Sequence, residues 1–171
     1  EKPYRIGPWD RQAGRDDFAC GKPELDAYWR TMAVRHAREG LAAVTVMQDG
    51  ATGEVIGFYA LVGYTLVVET LPAHLLPNPR KLPNRLPTTL LGKLAVRSDR
   101  QGRGLGSILL AHAVETAVEA SRRVASYAVV VDAIDDDAAR FYATFGFRPL
   151  TGQPTRLLLT MAEARANLTE E

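Results

Sequence analysis

The sequence predicts an α/β domain with a mixed sheet. The order of elements is the first reason: helices come first, then meandering strands, then strand–helix–strand–helix–strand. Length is the second, since 171 residues suit one domain, residues 1–171, with a sizeable core. Composition is the third: hydrophobic residues make up 46% and charged residues 24%, an ordinary globular balance that argues against disorder.

The elements follow in order. "CGKPELDAYWRTMAVRHAR" carries Leu25, Tyr28, Trp29, Met32 and His36 at three- and four-residue spacings, which predicts one or two amphipathic helices. "LAAVTVMQ" reads as a strand and "DGATG" as its turn; "EVIGFYALVGYTLVVE" is one long strand or two short ones. Residues 70 to 87 hold five prolines and are expected to form a long irregular loop, a kind of segment that often carries function. "TTLLGKLAV" is a buried strand, residues 104 to 121 a helix, and "SYAVVVDA" another buried strand. "DDDAARFYATFG" opens with acids that suit a helix dipole and stops at Gly146. "TRLLLTM" is the last strand, and a polar tail follows.

Several classes are set aside. A net charge of +1 names no partner, so any basic patch has to be local. A single cysteine rules out an internal disulfide and leads us to expect a cytoplasmic protein. No run of about 18 apolar residues is present to span a membrane, and the opening "EKPYRIGPWD" does not read as a signal peptide. His36, His74 and His112 lack metal-ligand spacing, so no metal is expected.

The stretch "LAVRSDRQGRGLGSILLAHAVE" runs from strand to glycine-rich turn to helix. Glycines without Cβ let a ligand approach backbone amides, and a helix N-terminus favours an anion. The spacing fits neither the dinucleotide G-x-G-x-x-G nor a Walker loop. By itself the pattern is either a plain tight turn or a phosphate cradle.

Two pieces together resemble the GNAT acetyltransferase superfamily: "LAV" followed by Q-x-x-G-x-G, and "DAARFYATFGF" one helix and one strand later. The resemblance covers roughly residues 40 to 161. It implies the GNAT fold, a mixed and mostly antiparallel central sheet flanked by helices, and acetyl-CoA as cosubstrate, with coenzyme A as product. The pyrophosphate is then expected on Gln101, Gly102, Arg103, Gly104, Leu105, Gly106 and Ser107. Backbone at Leu94, Ala95 and Val96 is expected to pair with the pantetheine arm as another strand would, and one of its N–H groups to meet the developing oxyanion. Asp135 stands where many members have Asn; it and Phe141 complete the expected cofactor site, and an aspartate can cap the helix. Tyr142 is either a core aromatic or, as the resemblance implies, the proton donor to the departing thiolate. A phenol with a pKa near ~10 stays protonated and can donate.

"FACGKPELDAYWR", "VIGFYAL", the proline-rich loop and the glycine turn also resemble the TacT-type toxins of bacterial toxin–antitoxin modules. That subgroup implies acetylation of the α-amino group of an aminoacyl-tRNA, a ribbon-helix-helix antitoxin as partner, and a homodimer. Arg30, Arg35 and Arg38, then Arg80, Lys81 and Arg85, with Lys93, are either solvated surface or tRNA phosphate contacts. Glu54 and Glu69 are the acids nearest the expected acceptor face, and strand-end solvation accounts for both. The absence of an evident base suits an α-amino acceptor, with a pKa near ~8, better than a lysine near ~10.4. Cys20 reads as a buried structural thiol rather than a nucleophile. Two other functions stay open: acetylation of a small amine or a protein amine, and a non-catalytic module acting as corepressor with a DNA-binding partner.

Overall fold

A computed structural model describes residues 3–10, 17–75 and 82–169. In chain order it holds β1 (Tyr4–Pro8), α1 (Pro23–Thr31), α2 (Ala33–Glu39), β2 (Ala43–Asp49), β3 (Val55–Val67), β4 (Arg85–Val96) and α3 (Leu105–Ser121). These are followed by β5 (Ala128–Asp132), α4 (Asp136–Ala143), β6 (Arg148–Leu150), β7 (Gln153–Thr160) and α5 (Met161–Thr169). The strands hydrogen-bond in the order β1-β2-β3-β4-β5-β7-β6. β1 pairs antiparallel with β2, and β2 with β3; β4 and β5 run parallel; β7 is antiparallel to both β5 and β6. The predicted mixed, mostly antiparallel sheet flanked by helices is what the chain forms.

The amphipathic stretch makes two helices. Pro23 opens α1, where its missing N–H costs nothing. At Met32 the backbone leaves the helical well (φ −121°), and α2 ends on Gly40 in the left-handed region (φ 72°), where glycine bears no Cβ penalty. β3 is one strand of 13 residues. The expected loop, residues 70 to 87, differs at both ends; residues 76–81 within it lie outside the described residues. Val68–Thr70 and Ala73–Leu75 form 3₁₀ turns, and β4 already begins at Arg85. Pro87 lies within that strand and gives up only a donor; its carbonyl accepts from Tyr127 N–H (2.7 Å).

Contacts divide the chain into two compact units, Glu1–Val62 with Gly92–Ala113, and Gly63–Leu91 with Val114–Glu171. In the first, four aromatic rings form the centre of the core. Trp29 lies 4.5 Å from Trp9 and 4.6 Å from Phe58, and Phe18 meets Phe58 edge-on at 5.4 Å. Such pairs add to the area they bury, and truncating a buried tryptophan costs about 3–5 kcal/mol. Gly57 sits in the same unit for a steric reason: a Cβ there would meet Leu109 Cδ1 at 2.6 Å and Ala95 O at 3.1 Å. Its absence lets α3 lie close on β3. In the second unit, Leu66, Leu71, Leu86, Val130, Leu150 and Leu158 build an aliphatic core. Among the described residues no helix is long and apolar enough to cross a membrane.

Candidate active site

In the first unit, β4 delivers the chain into the glycine turn. Ala95 points into the core (4% exposed), while Leu94 and Val96 face the other way and are half-buried. After Val96 the segment is anchored residue by residue. Arg97 N–H donates to Ile56 O (2.8 Å), and its guanidinium meets Asp99 (2.7 Å) and Glu54 (3.5 Å). Ser98 donates through both N–H (2.9 Å) and Oγ (3.0 Å) to Ala19 O. Arg100 pairs with Asp49 Oδ2 (2.9 Å), a carboxylate held below its usual range first by the N–H groups of Thr52 and Ala51, then by Arg100. The Gln101 amide donates to Cys20 O (2.8 Å) and to Val96 O (2.9 Å).

Beyond these anchors the turn is open. Gly102 (φ +74°) and Gly104 (φ +78°) occupy the left-handed region, and nothing lies within 4 Å of a Cβ built on either. Backbone conformation, not crowding, therefore demands glycine at both. Ile108 N–H donates to Gly104 O (3.2 Å), so α3 starts there. The N–H groups of Leu105, Gly106 and Ser107 belong to the first turn and have no acceptor within the helix. Exposed amides, the positive end of a helix and free space above two glycines fit an anion such as a pyrophosphate.

In the second unit, Asp135 caps α4: its Oδ1 accepts from Ala138 N–H at 2.8 Å. That helix carries Tyr142, which is 5% exposed. Its ring meets Phe141 at 5.4 Å and Phe147 edge-on at 5.9 Å. Burial, and then the charge of Asp132, push the phenol well above its ordinary pKa. The hydroxyl therefore keeps its proton throughout the physiological range. Asp132, at the end of β5, is gripped by Arg156 through Nε (2.6 Å) and Nη2 (3.1 Å); Arg156 Nη1 donates to Tyr64 Oη (2.6 Å). This group escaped the sequence reading. The signal was present in "VVVDA", an acid at the carboxyl end of a strand, where sites of α/β sheets gather.

The remaining expectations are placed as follows. Arg30, Arg35, Arg38 and Arg85 are exposed. Arg35 reaches Glu39 across one helical turn (3.3 Å), an exposed pair that is easily given up. Lys93 lies 5.3 Å from the Tyr28 ring centroid and 3.9 Å from Glu24. Arg80 and Lys81 fall outside the described residues. Cys20 is 6% exposed, and burial pushes its thiol up to about 11, so it is not a nucleophile at neutral pH. His112 Nδ1 is within hydrogen-bond distance of Tyr59 Oη (2.9 Å), a satisfied histidine. Glu54 is exposed beside Arg97, and Glu69 is exposed in a 3₁₀ turn. A cleft of about 210 Å³ between Phe18 and the 52–55 hairpin is lined by Glu54 and Arg97, and by none of the residues expected to hold acetyl-CoA or tRNA.

Residues 8–147 match the Acetyltransferase (GNAT) family. The chain is 37% identical over 150 residues to the tRNA-acetylating toxin of Mycobacterium tuberculosis (strain ATCC 25618 / H37Rv), covering 87% of each protein. The solved structure of AtaT complexed with acetyl-methionyl-tRNAfMet superposes with a TM-score of 0.88 at 26% identity, covering 96% of this chain and 99% of that one. AtaTR bound with acetyl-CoA superposes with a TM-score of 0.83 at 26% identity, covering 97% and 98%. The chain belongs to the GNAT acetyltransferase family, among relatives of the tRNA-acetylating toxins.

Proposed function

We propose that the protein is an acetyl-CoA-dependent toxin that acetylates the α-amino group of an aminoacyl-tRNA and so blocks translation. The observation that carries this is 37% identity over 87% of the chain to a tRNA-acetylating toxin, together with the open glycine turn that such chemistry needs. Acetyl-CoA supplies an activated acetyl thioester. The amides of residues 102–107 and the side of Arg103 receive its pyrophosphate, and the backbone of Leu94–Val96 pairs with its pantetheine arm. A backbone N–H in that stretch meets the oxyanion as the amine attacks the thioester carbonyl. As the new C–N bond forms, the C–S bond breaks; Tyr142 Oη passes its proton to the departing sulfur, and the proton that the attacking nitrogen sheds to water is matched by one that returns to the phenol. Asp135 and Phe141 support this by fixing the start of α4 and the ring beside Tyr142.

The residues 1–171 act as one catalytic domain. Arg30, Arg35, Arg38, Arg80, Lys81, Arg85 and Lys93 supply the phosphate contacts to tRNA. Neutralisation comes from an antitoxin of the ribbon-helix-helix class, the active form is a homodimer, and the site of action is the cytoplasm; these points rest on the resemblance to TacT-type toxins.

The test is competition. Labelled acetyl-CoA is offered with charged total tRNA, uncharged tRNA, free amino acids and polyamines together. Label is expected on charged tRNA alone. Faster acetylation of free amines than of charged tRNA would overturn the proposal.

A further inference from the structure

The geometry points to the Gln101 side chain as a positioning group for acetyl-CoA, one that acts by fastening the glycine turn to the loop before α1. Its side-chain nitrogen has two hydrogens, and both are engaged: one by Val96 O (2.9 Å), where β4 ends, and one by Cys20 O (2.8 Å). The first bond closes the 96–101 segment on itself. The second ties it to a residue 81 positions earlier. Cys20 is in turn held from its other side, since its N–H donates to Oδ1 of the buried Asp26 (2.7 Å). One residue before it, Ala19 O takes the N–H and the hydroxyl of Ser98. Two consecutive carbonyls of one loop therefore hold both ends of the 98–101 segment.

What this does follows from where the anchoring stops. Every tie lies before Gly102, and from Gly102 to Gly104 the turn is open. The amides of 105–107 are carried by α3, whereas the direction of those at 102–104 is inherited from the last fixed residue before them, which is Gln101. A hydrogen bond lost there lets the turn sample orientations that do not converge on a phosphate, and the fraction of competent turns lowers apparent affinity in proportion. The stretch "FACGKPELD" thus acts as a buttress of the cofactor turn. Asp26 belongs to it as well, because it holds the N–H of the Ala19–Cys20 peptide, whose carbonyl is the one that Ser98 uses.

The inference rests on the reading that this turn receives the pyrophosphate, and the wild-type titration tests that reading separately. Acetyl-CoA is titrated calorimetrically into the full chain and into Gln101→Leu, which keeps the bulk and loses the donors. The Kd is expected to rise about tenfold, which is about 1.4 kcal/mol. Steady-state assays are expected to show the loss in KM for acetyl-CoA and not in KM for charged tRNA. Gln101→Arg, which restores donors, is expected to recover most of the affinity; a general packing defect would not be rescued this way. If Gln101→Leu does not fold, Gln101→Asn replaces it: too short to reach both carbonyls, it should show an intermediate rise. Wild type that fails to bind acetyl-CoA overturns the reading of the turn. Wild type that binds, with Gln101→Leu or Gln101→Asn binding equally well, or with Leu and Arg variants equally impaired, overturns the role of Gln101.

Discussion

The glycine turn and helix α4 serve the same proposed reaction by opposite means. The turn offers backbone: Gly102 and Gly104 are exposed, nothing crowds them, and their identity is dictated by φ alone. Helix α4 offers a side chain: Tyr142 is almost fully enclosed, ringed by Phe141 and Phe147. The contrast teaches where each kind of damage shows. A change in the turn disturbs what binds and leaves the core alone. A change at Tyr142 disturbs chemistry only if the ring shape is kept, because a cavity there costs about 3–5 kcal/mol of stability.

The sharpest way to break the contrast is Tyr142→Phe. General acid catalysis is worth about 10²–10⁴ in rate, so kcat should fall by that much while acetyl-CoA affinity and melting temperature hold. Retention of more than a third of turnover, with chemistry rate-limiting, would remove Tyr142 from the reaction. The next effect belongs to the turn. Gly104→Val forces a branched residue to φ +78° and should weaken acetyl-CoA binding by at least about tenfold, with the aromatic core of the first unit intact by near-UV circular dichroism. Smaller still is the effect of Arg35→Glu with Arg38→Glu. KM for charged tRNA should rise several-fold and the salt dependence should flatten, the slope of log affinity against log salt becoming shallower by about 0.7–0.9 per phosphate no longer neutralised. An unchanged salt slope would place tRNA contacts elsewhere. Least of all should follow from Cys20→Ala, whose thiol is buried and protonated; turnover within about twofold of wild type is expected, and loss of acetyl transfer would reopen a covalent route.

Much of both regions was legible in the sequence, for reasons that the structure makes plain. Gly102 and Gly104 were readable because positive φ leaves no other common choice, and Asp135 because an acid before "DDAARFY" caps a helix. The Gln101 anchors were not, because their acceptors are backbone carbonyls, one of them at Cys20, which no residue type announces. Asp132 with Arg156 and Tyr64 draws on three strands far apart in sequence. β1 was missed because "YRIGP" is a short edge strand that contains glycine and proline, as edges tolerate. β6, at three residues, is too short to show a pattern. α5 was overlooked although its signal was there. "TMAE" is a capping box: Thr160 Oγ1 accepts from Glu163 N–H (3.2 Å), and Glu163 Oε2 accepts from Thr160 N–H (2.9 Å).

The most direct measurement is the identity of the product. Charged total tRNA is treated with the protein and acetyl-CoA, digested to nucleosides, and the terminal adenosine adducts are analysed by mass spectrometry. The account predicts N-acetyl-aminoacyl-adenosine, formed by wild type and reduced at least a hundredfold in initial rate by Tyr142→Phe, as a general acid of ordinary worth requires. Aminoacyl-adenosine left unmodified, or acetyl groups found on the nucleobases, would contradict it.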